Sequence, residues 1–402
     1  MSSGHGHMTR GAATAHVAVA TAPPEGSGRA PRFALPAIAV FCDPGEPHAL
    51  PCLDGDARVA ADRASAALAR VPAFGGPAER DAGLRAAAAA IERLLRCLSP
   101  HADPVDGETL PTRSHVQGYF RVRTTALTAP QAALHAVLVI QSAIADLRNA
   151  PLAGSDIARE TAALRQVVVD LAGLSGDPVA EIEDDGGEID VVPAHAQRQV
   201  WLARWIVGHH AHVLLNVYAT IALQEAIALL RAGELLAATH KLATVTTYVQ
   251  GFAPARAHAA ALPSDFYNTV VRPTMVPTVV PVPLSGKMHV EYQLYRQRVE
   301  ELLEVLPDPV NELALPEPEL AFAREELLEA DLIEAERHVC LVEPVVGNAR
   351  SLIQAPRSSE NAVAVLRRMR HRRAAQYEPF LRFGDHVVAA TTVPADADRT
   401  GR

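Results

Sequence analysis

The sequence predicts an all-α protein, a helical bundle in which long antiparallel helices surround a buried pocket, with a further helical region on the N-terminal side. Three observations carry this. Hydrophobic residues make up 49% of the 402, enough for a large core and too many for a disordered chain. Aromatic residues are only 4% while Ala and Leu abound, a mixture that favours helix over strand. Residues 200–230, VWLARWIVGHHAHVLLNVYATIALQEAIALL, form one Pro-free apolar run whose only charges are Arg204 and Glu225.

The elements follow in order. Residues 1–31 are rich in Gly, Ala, Ser, Thr and Pro and read as a disordered leader, with His5 and His7 on a mobile tail. FALPAIAVFC (33–42) is short, apolar and bounded by Pro and Gly, so it is a strand or a buried loop. Residues 56–71 and 79–98 show helical spacing, and the second run stops before Ser99-Pro100. Residues 111–123 read as a loop or short extended piece carrying His115 and Tyr119. A helix over 128–149 starts with Thr128 as N-cap and Pro130 in its first turn. Another covers 155–173. Together 32–173 make an N-terminal helical region.

Residues 174–190 hold seven acids, no base and three glycines. That sets 174–193 apart as an acidic linker or flap. A second domain spans 194–389. Its long helix turns at Gly233 into a helix over 234–251, giving an antiparallel pair. In 264–284, Pro273, Pro277, Pro281 and Pro283 forbid a regular helix, yet the segment is apolar, which marks it as a buried loop suited to binding. Helices follow over 287–306 and 317–346, the latter breaking near Pro344 and Gly347, and a basic helix covers 361–376. Residues 390–402 form a frayed tail.

The net charge of −9 argues against nucleic-acid binding, which needs a basic surface. Cys42, Cys52, Cys97 and Cys340 lack CxxC spacing, so free thiols in a reducing compartment are expected. The three histidines and Asn216, Gln224 and Glu225 in 200–230 argue against a lipid-spanning helix. No signal peptide is evident, and a cytoplasmic location follows as an expectation.

The motifs GxGxxG, GxxxxGK[ST], GxSxG and HExxH are all absent. What remains is imidazole on helices. Trp201, Trp205, His209 and His212 recur at spacings of four, four and three and share one helix face. That face reads as a pocket wall or as plain core. His338 lies on a second helix. A single imidazole on a helix can ligate a metal or haem iron or serve as acid or base, and a core histidine bonded to backbone is the blander reading. His209 and His212 could share a non-haem metal, although no third ligand is evident. A non-catalytic helical interaction protein accounts for the same composition.

Four segments in order resemble the tryptophan 2,3-dioxygenase superfamily of histidine-ligated haem enzymes, nearer its haem-dependent tyrosine hydroxylase and pyrrolnitrin-pathway branch. WIVGHH followed by AIALLRAGE is similar to the helix pair that carries an aromatic residue four positions before a distal histidine, here Trp205 and His209. SDFYNTVVRP ends in Arg272, where the family has an arginine that grips the substrate carboxylate. RHVCLVEPVVG looks like the segment of the proximal histidine, here His338. Ser358 and Ser359 in APRSSENAVAVLRRM stand where the family has a substrate-contacting loop.

The resemblance implies haem b bound non-covalently, with His338 on the iron and Trp205 and His209 against the cofactor. Glu343 or a backbone carbonyl would hold the other ring nitrogen of His338, and Cys340 would be an ordinary buried thiol. His209 would be the catalytic group. Trp205, Arg272, Ser358 and Ser359 would bind an aromatic amino acid, tyrosine or a derivative, with O2 or H2O2 as oxidant, in secondary metabolism. Tryptophan or indole ring oxidation is the second activity it implies, and a homo-oligomer the assembly. Residues 33–172 would cap the haem domain, with His115 and Tyr119 reaching the pocket.

Overall fold

Helix α6 (Gln197–Ala232) is the axis of the fold, 36 residues long and buried along most of its length. The computed structural model describes residues 36–43, 53–174, 197–284, 288–352 and 360–382. The predicted leader, residues 175–193 of the acidic segment, the tail from 390, and Ser358 and Ser359 lie outside the described residues. The predicted all-α class holds: among the described residues the only sheet has two strands.

The first strand falls in 33–42, read as a strand or buried loop, whereas 111–123 holds a short helix and only the first two residues of the second strand. β1 (Ala39–Cys42) pairs in parallel with β2 (Val122–Thr125), Ala39 opposite Val122. A parallel pair needs a long crossover, and α1 (Gly55–Ala69), α2 (Pro77–Leu98) and the short α3 (His115–Tyr119) lie in it. Next come α4 (Ala129–Leu147) and α5 (Gly154–Ala172). Thr128 caps α4 as expected. Its hydroxyl accepts from the Gln131 N–H, and Gln131 Oε1 accepts from the Thr128 N–H at 3.1 Å, a reciprocal capping box.

After the turn at Gly233 (φ +78°), α7 (Leu235–Ala260) runs back along α6. It runs nine residues past the end that the sequence predicts. Gly251, the last residue of the expected helix, and Pro254 beyond it both sit inside the helix and are buried. A proline forfeits only its own N–H bond and crowds one carbonyl, a local cost that burial of the surrounding turn overrides. Gly251 is required by contact. A Cβ there would lie 2.4 Å from the Ala163 Cβ of α5 and 2.8 Å from Leu215 of α6. Gly208 plays the same part on α6, where an added Cβ would meet the Ala259 backbone nitrogen at 2.4 Å.

The proline-rich segment folds into α8 (Ser264–Phe266), a π turn over Tyr267–Val271 and α9 (Arg272–Thr274). α10 (Val290–Val305), α11 (Val310–Leu313), α12 (Pro318–Val346) and α13 (Ala362–Tyr377) complete the chain. The end expected near Pro344 and Gly347 falls there, with Pro344 inside the last turn. α12 continues to Val346 and stops at Gly347, whose φ is +54°.

Buried ionic groups tie these helices together. His258 of α7 bridges Glu160 of α5 (2.9 Å) and Asp146 of α4 (2.8 Å). Arg204 of α6 also reaches Asp146 at 2.8 Å. Farther on, Asp331 of α12 binds Arg296 of α10 and the Tyr377 hydroxyl of α13. By length and composition α4 and α6 could each cross a membrane, but 78% of the most apolar α6 window is buried inside the protein.

Candidate active site

The long helix carries its aromatic and imidazole residues into a cavity. Trp205, Gly208, His209 and His212 of α6 line it, together with Arg256 of α7, Phe120, Tyr267, His289 and His338. A second compartment adjoins it, lined by Arg256, Arg272, Tyr292, Glu334, Arg370 and Arg373 among others. His338, Arg256, Tyr267 and Met275 border both. So Trp205, His209 and His338 converge, while Arg272 stands in the neighbouring space.

His209 is fixed by its own helix. Its Nδ1 bonds the Trp205 carbonyl at 2.6 Å. A carbonyl only accepts, so the ring proton sits on Nδ1 and Nε2 is a free base. The ring stacks on Phe120 at 4.0 Å and meets Trp205 edge-on at 4.3 Å. Burial holds its pKa well below the ordinary imidazole value, and the neighbouring His289 adds to that. It is therefore neutral near pH 7 and able to take up a proton.

His212 does not share its lone pairs with His209. Arg256 Nε donates to His212 Nε2 at 3.0 Å, and Asn216 packs against the other side of the ring. Among the described residues no group of three His, Cys, Asp or Glu side chains is placed to hold a metal ion. His210 leaves the cavity, its Nε2 bonded to the Phe120 carbonyl at 2.7 Å, as a structural histidine would be. Trp201 packs on Phe266.

His338 lies on α12, eight residues before its end. Burial, then Arg256, keeps its pKa well below the usual range. Its partner differs from expectation. Glu343 faces outward and pairs with Arg367 at 2.7 Å. Arg256 Nη1 instead donates to His338 Nδ1 at 2.5 Å, while Nη2 lies 3.1 Å from Glu334. Cys340 is exposed rather than buried, because two positions along a helix turn a side chain away from the His338 face. His371 is exposed beside Arg370 and lies outside both compartments.

Three residues at the site went unnoticed in the sequence. Arg256 lies beyond the expected end of α7. Phe120 comes from the N-terminal region and stacks on His209. Next to it, Tyr119, expected to reach the pocket, lines neither compartment and bonds Thr274 through its hydroxyl at 2.7 Å, and His115 is exposed. His289 precedes α10 and has both ring nitrogens buried without a partner. The signal available for it was a histidine between Met288 and Val290, two positions before an acid opening a helix.

Residues 39–323 match the family model described as SfmD 3-methyl-L-tyrosine peroxygenase, well over half of the chain. The chain belongs to that family. It is thereby a member of an oxygen-transferring oxidoreductase family whose named substrate is a methylated tyrosine. The matched stretch contains Trp205, His209, Arg272 and His289, and His338 lies beyond its end. No curated protein and no solved structure matches the chain.

Proposed function

We propose that this chain is a haem-dependent peroxygenase that hydroxylates the ring of a tyrosine derivative, with hydrogen peroxide as oxidant. One observation carries the reading: in a member of a peroxygenase family, Trp205 and the imidazoles of His209, His289 and His338 close round one cavity.

The donor set suits a prosthetic group better than a bare ion. A bare ion needs several protein ligands, which the described residues do not bring together. Haem brings four of its own and asks for one imidazole. His338, neutral and on the wall shared by both compartments, meets that need once Arg256 releases its Nδ1. Glu334 is already placed to hold the guanidinium. Haem would supply the redox chemistry that activates peroxide.

The remaining roles belong to the protein. One oxygen of hydrogen peroxide must lose its proton and the other must gain one, so that it departs as water. The free Nε2 of His209 can accept that proton and return it. Trp205 and Phe120 supply apolar faces for an aromatic ring. Arg272 suits the α-carboxylate for a reason visible in its neighbours. Arg256, Arg370 and Arg373 are paired with Glu334, Glu336 and Asp331. Arg272 bonds the Arg350 carbonyl, and among the described residues no carboxylate pairs with it. Its charge is left for a ligand.

A visible spectrum of the purified protein, taken after haem supplementation, tests this. A Soret band is expected in the wild type and not in His338→Ala, while His371→Ala keeps it. The reading is rejected by a wild type that takes up no haem.

A further inference from the structure

Beside the cavity, three buried polar atoms of one short segment have no hydrogen-bond partner, Nδ1 and Nε2 of His289 and Oε2 of Glu291, in addition to Nε1 of Trp205 and Oε1 of Glu334. Groups left so in dry surroundings are unfavourable unless something completes them. Two of the three face each other. His289 Nδ1 lies 3.9 Å from Glu291 Oε2, and a shift of under about 1 Å makes a hydrogen bond. Glu291 is held from its other oxygen, because Gln117 Nε2 donates to Oε1 at 2.9 Å. Gln117 is itself fixed. Its Oε1 accepts from the Arg113 N–H at 3.2 Å, and its Nε2 also reaches Thr124 at 3.3 Å.

Burial lowers the His289 pKa to about 3, so the ring is neutral and has a single N–H. Placing that proton on Nδ1 satisfies the carboxylate and Nδ1 together. Nε2 then remains an acceptor that no hydrogen bond from a described residue meets. The ring lines the cavity, 5.0 Å from Phe120 and 6.1 Å from His209 between centroids. A donor for Nε2 must therefore come from the ligand.

A tyrosine derivative offers two donors, its ammonium and its phenol. The ammonium sits next to the α-carboxylate, which belongs at the arginine-lined end with Arg272. The phenol is the far end of the molecule and lies on the His289 side. We propose that His289, its tautomer set by Glu291, accepts the hydrogen bond of the substrate's phenol O–H. Glu291 is thus a positioning residue and His289 a specificity-determining one. A site built to bond a hydroxyl discriminates against the analogue that lacks it, since the buried acceptor is then left unpaired. This inference rests on the proposed substrate class.

Two measurements test it. The first reads the His289 tautomer by nitrogen NMR in the full chain labelled at histidine and carrying no haem, with His289→Leu identifying the signal. An Nδ1–H ring is expected in the wild type and in Glu291→Gln, whose carbonyl still accepts, but not in Glu291→Leu. An Nε2–H ring in the wild type, or the same tautomer in all three, overturns the pairing. The second titrates 3-methyl-L-tyrosine and 3-methyl-L-phenylalanine into the haem-loaded protein and follows heat. The wild type and Glu291→Gln should prefer the phenol by about tenfold or more. Glu291→Leu and His289→Leu should bind the two alike. A preference that survives both leucine variants, in protein with a wild-type melting temperature, overturns the phenol assignment and leaves the ammonium as the donor. A wild type that binds neither compound removes the substrate class and the phenol role together, while the nitrogen signals still decide the Glu291–His289 pair.

Discussion

His258 should make the stability of this protein depend on pH in the alkaline range. Its ring is wholly buried between Glu160 and Asp146. Burial by itself would lower its pKa, but the Glu160 charge and the hydrogen bonds to both carboxylates outweigh it and raise the value from 6.5 to about 9. The same contacts, together with Arg204, hold Asp146 below its ordinary value although burial opposes this. At about 1.4 kcal/mol per pKa unit, the shift of His258 corresponds to roughly 3 kcal/mol of folding free energy. Its sign follows from linkage. A group whose folded pKa is raised stabilises fully below its unfolded pKa, and that contribution is lost as the pH rises through the folded one. The stabilisation is therefore complete below pH 6.5 and disappears around pH 9. The assay is urea unfolding of the wild type and His258→Gln from about pH 6 to about pH 10, a range that brackets both pKa values. The stability gap between them should shrink by roughly 3 kcal/mol across that range, since glutamine cannot titrate. A gap that stays constant with pH would show that the imidazole carries no extra proton, and the reasoning would fail.

Other outcomes follow from the cavity. His209→Leu should lower turnover by about 10² to 10⁴, the usual worth of a positioned proton-transfer group, with the urea midpoint unchanged. Arg272→Leu should weaken binding of the amino acid by about 10- to 100-fold and leave its methyl ester unaffected, as titration calorimetry would show. Gly208→Ala forces a Cβ against the Ala259 backbone and should destabilise by about 1–3 kcal/mol in thermal unfolding.

Most helices were legible in the sequence because their evidence is local. The N-cap at Thr128, the glycine turn at Gly233 and the apolar periodicity of α2 are contained within a few residues. Boundaries failed where packing opposed a local signal. The sequence ends α7 at 251, yet the helix runs on through Pro254 to Ala260. Losing the last nine residues of α7 hid both Arg256 and His258, the two charged groups that do most to organise the interior.

The same division runs through the site. Trp205 and His209 could be paired from sequence because four residues on a helix return to the same face, and the structure adds that the pair shares a backbone bond. His338 joins that cavity from a helix about 130 positions later, a convergence the family resemblance implied and periodicity could not. The partners of these imidazoles were out of reach. Arg256 rather than Glu343 meets His338, because α7 packs along α12 there while Glu343 turns outward to Arg367. Gln117 meets Glu291 across 174 positions.

By itself the sequence determined where most of the long helices lie and that a long apolar helix carries the aromatic and imidazole residues. Only the tertiary structure decided which charges meet, which ring nitrogens keep their lone pairs and which buried atoms wait for a ligand. Periodicity acts within a helix over a few residues. Hydrogen bonds between helices depend on crossing positions that close contacts such as Gly208 on Ala259 and Gly251 on Ala163 set to within an ångström or so.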